Sequence, residues 1–384
     1  MPTTRLKNTL YRLALPFAAP KCPTHPFSSV SGRQLACLRE LEILFRRHHV
    51  LGAALLLTSG ENNASLCSSS ENPKHISRPE MYFRVASITK TATAILTLSL
   101  TEQGLLDLDA PVSDYFTDVS ARKALKGITL RQLLSHRSGI VDPPGLASAL
   151  EDNAAFPSLL SPARRHSPDE AFVYSNFGFG LVGCVLESIL NEPLGRIFEH
   201  RLFTPLGMNA TLEGCLLPSR DIMPVVRVLP YRPDAAVTVT TLGSRPLLSP
   251  DPLRHFGHTA GSLYTDIESL QKMLDVLIRP DIGFLSPSSV EQMKRKHASY
   301  GELSPSLSYG LGLLRIEDPS LSDGVIYGHQ GFAYGCVDGA FWEASTRRSV
   351  ILLNGGASEA RTGRLGLLNR DIIAWAFRKE MISW

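Results

Sequence analysis

The chain lacks an excess of charge, long apolar runs, paired cysteines and internal repeats, and each absence narrows what it can be. Its 39 lysines and arginines stand against 36 aspartates and glutamates, a formal charge of +3 over 384 residues. So small an excess gives no ground for nucleic acid or an anionic membrane as partner. No apolar stretch approaches the roughly 20 residues of a membrane span. At the N-terminus Arg5, Lys7 and Arg12 precede apolar residues, but Pro16 cuts that stretch short of a signal-peptide core. Residues 1 to about 27 read as a loosely ordered N-terminal extension and the protein as cytoplasmic. The cysteines, Cys22, Cys37, Cys67, Cys184, Cys215 and Cys336, form no C-x-x-C and no zinc spacing. Neither a disulfide framework nor a metal site is expected, and Cys184 and Cys336, among apolar neighbours, read as small buried side chains. The basic cluster FRRHHV, Phe45 to Val50, reads as a solvated helix end, with a metal or anion site as the alternative.

What is present suits a globular protein with a large core: 43% of residues are hydrophobic and 20% charged. Leu51 to Gly60 is a short apolar run ending in turn residues, as a buried strand would be. CVDGAFWEASTRRSVILLNGG reads as two strands joined by a turn, with Val337, Gly339 and Phe341 alternating with Asp338 and Ala340. The terminal LGLLNRDIIAWAFRKE puts Leu368, Ile372, Trp375 and Ala376 on one helical face. Between these ends the chain reads as helix and loop. Ile88, Ala92, Ile95, Leu96 and Ser99 have the spacing of an amphipathic helix that Gly104 ends. Phe179 to Gly195, stopping near Pro193, and Leu270 to Ile278 read as two more. The expected fold class is α/β of the α+β type: an antiparallel sheet built from both chain ends, flanked by helices, with a mostly helical inserted region and a cleft where the parts meet.

Two stretches carry chemistry. Ser87-Ile88-Thr89-Lys90 stands where the amphipathic helix begins, and residues three apart share a helical face, so the lysine amine can reach the serine hydroxyl. Serine needs such a base before it is a nucleophile. A helix-capping serine explains Ser87 equally well, and Ser120-Ala121-Arg122-Lys123 repeats the spacing in a polar context. In FVYSNFGFGLVG, Phe172 to Gly183, the last six residues match the dinucleotide-binding G-x-G-x-x-G. No buried strand precedes Gly178 and no strand ending in an acid follows about 20 residues on, so a redox cofactor is not expected. The glycines instead suit close helix packing. Tyr174-Ser175-Asn176 offers a tyrosine whose pKa a lysine can lower, making it a general base, and an amide with both donor and acceptor for a substrate. A buried tyrosine and a capping asparagine are the structural alternatives.

With these motifs in hand the chain resembles the serine β-lactamase and D-alanyl-D-alanine peptidase superfamily, in its class C-like branch. The resemblance runs over roughly residues 80 to 376, through FRVASITKTATAILTLSLTEQGLLDLDAPVSDYF, ITLRQLLSHRSGI, YSNFGFGLVGCVLESI, LFTPLGM, GSLYTDIESL and YGHQGFAYG in that order. It implies a β-lactamase/transpeptidase-like fold, with the extension at 1–27 and a single hydrolase domain at 28–384, its sheet part about 28–80 and 255–384 and its helical part about 86–250. It implies that Ser87 is acylated, that Lys90 and Tyr174 move the protons, and that Asn176 positions the substrate. The third family element would be His329-Gln330-Gly331, since His255-Phe256-Gly257 is out of order, and the oxyanion would meet the N–H groups of Ser87 and Phe332. Which of Tyr174 and Lys90 is the base stays open. Class C β-lactamases usually carry lysine where His329 stands, and histidine is similar to the peptidase and esterase members. If a protonated His329 attracts a substrate carboxylate, that attraction fades as it titrates near about 6.5; if it holds the strand or Tyr174, substrate charge has no effect. His136, in LLSHRSG, reads as structural. The reading is a cofactor-free serine hydrolase acting on a small-molecule or peptide substrate. The alternatives are a carboxylesterase of the same family or a catalytically silent receptor, and the oligomeric state is unknown.

Overall fold

Strands from the two ends of the chain pair in one sheet. The computed structural model describes residues 9–10, 13–15, 17, 32–60, 62–68, 78, 80–229, 231–232 and 246–378. Among them the helices used below are α1 (Gly32–Arg47), α2 (Thr89–Glu102), α3 (Leu146–Glu151), α4 (Asn176–Leu190), α5 (Ile267–Ile278) and α6 (Leu367–Arg378). The main strands are β1 (Ala53–Ser59), β2 (Asn62–Ser68), β3 (Ala298–Ser299), β4 (Leu307–Tyr309), β5 (Leu314–Ile316), β6 (Ile326–Ala333), β7 (Cys336–Glu343) and β8 (Ser349–Asn354). They form an eight-stranded sheet in the order β2-β1-β8-β7-β6-β5-β4-β3. The described pairs are antiparallel, Ala53 facing Asn354 where the two chain ends join.

The sheet is covered on both faces, so the residues expected to alternate along β7 do alternate between its two faces and both sets are buried. All eight residues of β7 are buried. Val337 and Phe341 pack with α6 and α1, while Ala340 and Trp342 pack with α5 and the helical region. Asp338 lies on the second of these faces, fully buried, and accepts the Asn354 N–H at 2.8 Å. Helix α2 does depart from expectation. It was expected to be amphipathic, yet residues 89–100 are all buried. The threonines make this possible: Thr93, Thr97 and Thr101 donate to the carbonyls of Thr89, Thr93 and Thr97 at 2.8 to 3.0 Å. Their hydroxyls are satisfied within the helix and need no water.

The glycines of GFGLVG lie inside α4, not in a phosphate-binding loop. A Cβ at Gly180 would fall 1.5 Å from the Phe256 carbonyl oxygen, so only glycine lets that loop cross the helix. Helix α4 ends at Asn191, in the left-handed conformation at φ 48°, two residues before Pro193. Of FRRHHV, Arg46 and Arg47 form the last turn of α1 and His48 is bound to Asp371 at 2.8 Å, a helix end docked on α6. Cys184 and Cys336 are buried free thiols. Most of the N-terminal extension lies outside the described residues; those described are helical, and Leu15 is buried against Leu51, Val226 and Val228. Among the described residues no single helix is long and apolar enough to cross a membrane.

Because Trp342 is 1% exposed and stacks on Tyr327 with ring centroids 5.6 Å apart, Trp342→Ala is expected to cost about 3–5 kcal/mol. Urea unfolding followed by circular dichroism checks this; a midpoint within error of the wild type would place the tryptophan outside the cooperative core.

Candidate active site

The serine turn is stitched to its surroundings by backbone bonds. Ser87 sits in a 3-10 turn, Ala86–Ile88, that runs into α2. Ala86 takes φ 46°, a conformation alanine adopts only when its neighbours impose it. Those neighbours are specific. Val85 N–H donates to Leu263 O at 3.0 Å, and Thr89 Oγ1 donates to Ala86 O at 2.6 Å while accepting Leu263 N–H at 3.1 Å. From the other side β6 closes in: a Cβ on Gly331 would lie 2.4 Å from the Val85 carbonyl oxygen. Gly331 is therefore what lets the sheet approach the serine.

Lys90 is 0% exposed. Its Nζ lies 3.1 Å from Ser87 Oγ, 2.9 Å from Asn176 Oδ1 and 2.7 Å from the Ala260 carbonyl oxygen. Burial, opposed by the field of Asp142, lowers its pKa to about 7. A neutral amine has two N–H bonds and one lone pair. Asn176 Oδ1 and Ala260 O can only accept, so they take both N–H bonds. The lone pair is left facing Ser87, ready for the hydroxyl proton.

Asp142 keeps this arrangement in place, and the sequence offered no sign of it. Its Oδ2 accepts Asn176 Nδ2 at 2.9 Å, which turns Oδ1 of the same amide toward Lys90. Its Oδ1 accepts Ser175 Oγ at 2.9 Å and the Phe177 N–H at 2.8 Å, while Ser175 Oγ accepts the Gly178 N–H at 2.9 Å. The first turn of α4 is thus capped by Ser175 and Asp142 together. Asn176 was expected to present donor and acceptor to a substrate; its oxygen and one N–H are already committed to Lys90 and Asp142.

The expected lowering of the Tyr174 pKa is reversed. Burial holds its phenol well above the ordinary value, a hydrogen bond with Ser87 opposing the shift. Lys90 Nζ lies 4.9 Å from the ring centroid, over its face. The phenol keeps its proton and can serve as an acid. His136, at φ 59°, accepts the Ser175 N–H at 3.1 Å through Nδ1 and packs its ring 4.3 Å from that of Tyr174. Burial, then Lys90 and His329, keep His136 neutral.

His329 is also neutral, which favours the second of its two readings, holding the strand, over attraction of a carboxylate. It is 2% exposed, and burial with the nearby Lys90 pushes its pKa down to about 3. Nδ1–H donates to the Gln330 carbonyl at 2.7 Å and Nε2 accepts the Tyr309 hydroxyl at 2.9 Å. A histidine committed in this way holds β6 to β4. Sequence reasoning missed Tyr309 as well, because nothing near it in the chain points to the site.

These groups open onto a cleft of about 520 Å³ whose lining includes Ser87, Asn176, Asp142 and Phe332. Arg361, also on the lining and unanticipated, lies 3.9 Å over the Phe332 ring. The competing motifs stand elsewhere: Ser120 bonds its capping neighbour Asp118, and His255 bonds the buried Glu187 at 2.8 Å. Among the described residues no group of three or more histidines, cysteines or acids is arranged to hold a metal ion.

Comparison with known proteins gives a consistent picture. A family model described as Beta-lactamase matches residues 38–342. The chain is 27% identical over 341 residues to esterase EstB of Burkholderia gladioli, covering 77% of this chain and 83% of that protein. It is 28% identical to the D-alanyl-D-alanine-carboxypeptidase/endopeptidase AmpH of Escherichia coli (strain K12), covering 45% of this chain and 48%, about half, of that relative. In structure it is similar to EstCE1, described as a hydrolase with promiscuous acyltransferase activity, with a TM-score of 0.70 at 22% identity over 90% of this chain and 100% of that one. The last of these shows the fold, which is that of the β-lactamase/transpeptidase-like proteins.

An amine that takes the serine proton must first lose its own, so kcat/KM should rise with pH through an apparent pKa near 7, that of Lys90. The Asp142 carboxylate favours the ammonium, so Asp142→Asn should move that limb to lower pH. Stopped assays across the pH range check both; a limb that stays in place or moves up in the variant would contradict the role given to Asp142.

Proposed function

The chain belongs to the beta-lactamase family of serine hydrolases, and from that membership we propose that it cleaves small neutral esters, and amides of similar shape, through an acyl-enzyme on Ser87. The observation that carries this reading is Lys90 Nζ held 3.1 Å from Ser87 Oγ by two fixed acceptors, a geometry that turns the lone pair of the neutral amine toward the serine. Ser87 Oγ attacks the substrate carbonyl as its proton passes to Lys90 Nζ, which lies 3.1 Å away. The resulting ammonium now has three donors, two of them already placed on Asn176 and Ala260. The oxyanion meets the backbone N–H groups of Ser87 and Phe332, and losing one such donor typically costs about 100-fold or more in kcat. Tyr174, kept protonated by burial, gives its proton to the departing alcohol or amine and regains one from Lys90. Water then attacks the acyl-enzyme, its proton following the same route back to Ser87.

Preference for neutral substrates rests on His329. With both ring nitrogens hydrogen-bonded and its pKa at about 3, it presents no positive charge to a substrate carboxylate. That favours the esterase reading, in keeping with the similarity to EstB, over a carboxypeptidase like AmpH. Arginines 84, 227 and 361 also line the cleft, but Arg227 pairs with Glu359 at 3.1 Å and Arg84 donates to Gly261 O at 3.3 Å. A hydrogen bond to a neutral carbonyl leaves the Arg84 charge in place, so the case for neutral substrates rests on His329 alone.

Two outcomes are expected. A fluorophosphonate should label Ser87, identified by mass spectrometry of the modified peptide, and Ser87→Ala should abolish both labelling and turnover; an adduct on Ser120 would defeat the assignment. From about pH 6 to about pH 8, where an ordinary histidine titrates, kcat/KM for a carboxylate-bearing ester and for a neutral ester of like shape should change in parallel. A steeper alkaline fall for the charged substrate would restore carboxylate recognition by His329.

A further inference from the structure

The residues lining the cleft divide by the part of the fold that supplies them. Arg84, Arg227, Tyr334, Glu359 and Arg361 give one side charge and hydrogen-bonding groups. The other side carries the apolar residues Leu146, Ala147, Leu150, Phe177 and Phe256, with the Asp142 carboxylate beside them, bound to the Phe177 N–H. Leu146 and Leu150 stand four residues apart on the short helix α3, hence on one face of it. Both are only half-buried and pack against the same core cluster as Phe177 and Phe256. Those two rings meet edge to face with centroids 5.5 Å apart and are 0% and 1% exposed, a rigid floor beneath a leucine wall.

The chemistry at Ser87 assigns these two sides different parts of a substrate. Tyr174, the acid for the leaving group, and Phe332 both pack against the sheet-side core, and the fields of Asp142 and then Arg361 reach the phenol. The leaving group therefore departs toward the charged side. The acyl group, which stays on Ser87, is then left the other side, where Asn176 and Phe177 line the cleft. We propose that Leu146, Ala147, Leu150, Phe177 and Phe256 form an acyl-binding lobe that takes an unbranched apolar acyl chain and sets its length. The lobe deepens the ester-hydrolase reading and rests on it. Each methylene that enters leaves water, so kcat/KM rises by about fourfold per added carbon until the floor is reached.

The test is a series of p-nitrophenyl esters from acetate to octanoate, which share a leaving group, assayed with the full chain and normalised to active sites titrated with a fluorophosphonate. In the wild type kcat/KM is expected to climb with chain length and then fall. Leu150→Trp, which fills the lobe, should lower the ratio of the best ester to acetate by about tenfold or more. Leu150→Ala, which enlarges it, should move the optimum to a longer chain; the two variants act in opposite directions, so misfolding of one cannot imitate the result. Ser87-dependent hydrolysis with a flat profile, or with ratios that neither variant moves, overturns the lobe alone. Absence of any Ser87-dependent hydrolysis or labelling overturns the hydrolase reading, and the lobe with it.

Discussion

Lys90 is out of reach of water, and the conformation of its neighbours follows from what a buried amine requires. Moving its pKa from 10.5 to about 7 corresponds to a bias of about 5 kcal/mol against the charged form. The unfolded chain holds the proton up to about 10.5 and the folded chain releases it near 7, so this group's contribution to stability is lost as pH falls from about 10.5 to about 7. In return the protein has, near neutrality, an amine able to take a proton from serine. A helix buried on every side, with threonines bonded to their own backbone, is what carries the lysine inward.

Each part of the fold supplies one thing to that amine. The loop at 259–263 gives the Ala260 carbonyl and the backbone bonds that hold the serine turn in its strained form. The start of α4 gives Asn176, whose amide Asp142 orients. The sheet gives β6, close enough to the serine that only Gly331 fits, and a neutral His329 anchored to Tyr309. Tyr174 completes the set as an acid, because the burial that makes Lys90 a base makes the phenol a poor one. One physical cause, exclusion of water, thus gives the two groups opposite roles.

Much of this was legible in the sequence, for identifiable reasons. The spacing of Ser87 and Lys90 is a local helical relation, and Tyr174 and Asn176 are two residues apart, so both could be read without tertiary structure. Apolar runs marked β1 and β8 because buried strands need them. What escaped depended on contacts between distant elements. Asp142 reaches Asn176 from a loop 34 residues away. The charge state of His329 depends on burial and on Lys90, and that of Tyr174 on burial beside rings from three other segments, among them His136 and Tyr309. The alternation expected along β7 holds, but it did not show that both faces are buried, because the second core, built by α1 and α6, comes from distant parts of the chain.

The most direct measurement is the titration of the Lys90 amine itself, by NMR of protein carrying 13C at the lysine ε-carbons, with the signal assigned by its loss in Lys90→Arg. A midpoint near 7 is expected, far below that of the surface lysines. A Lys90 signal that stays in its charged position up to about pH 10, as an ordinary lysine does, would show that the amine is not the serine's base and would contradict the mechanism at its root.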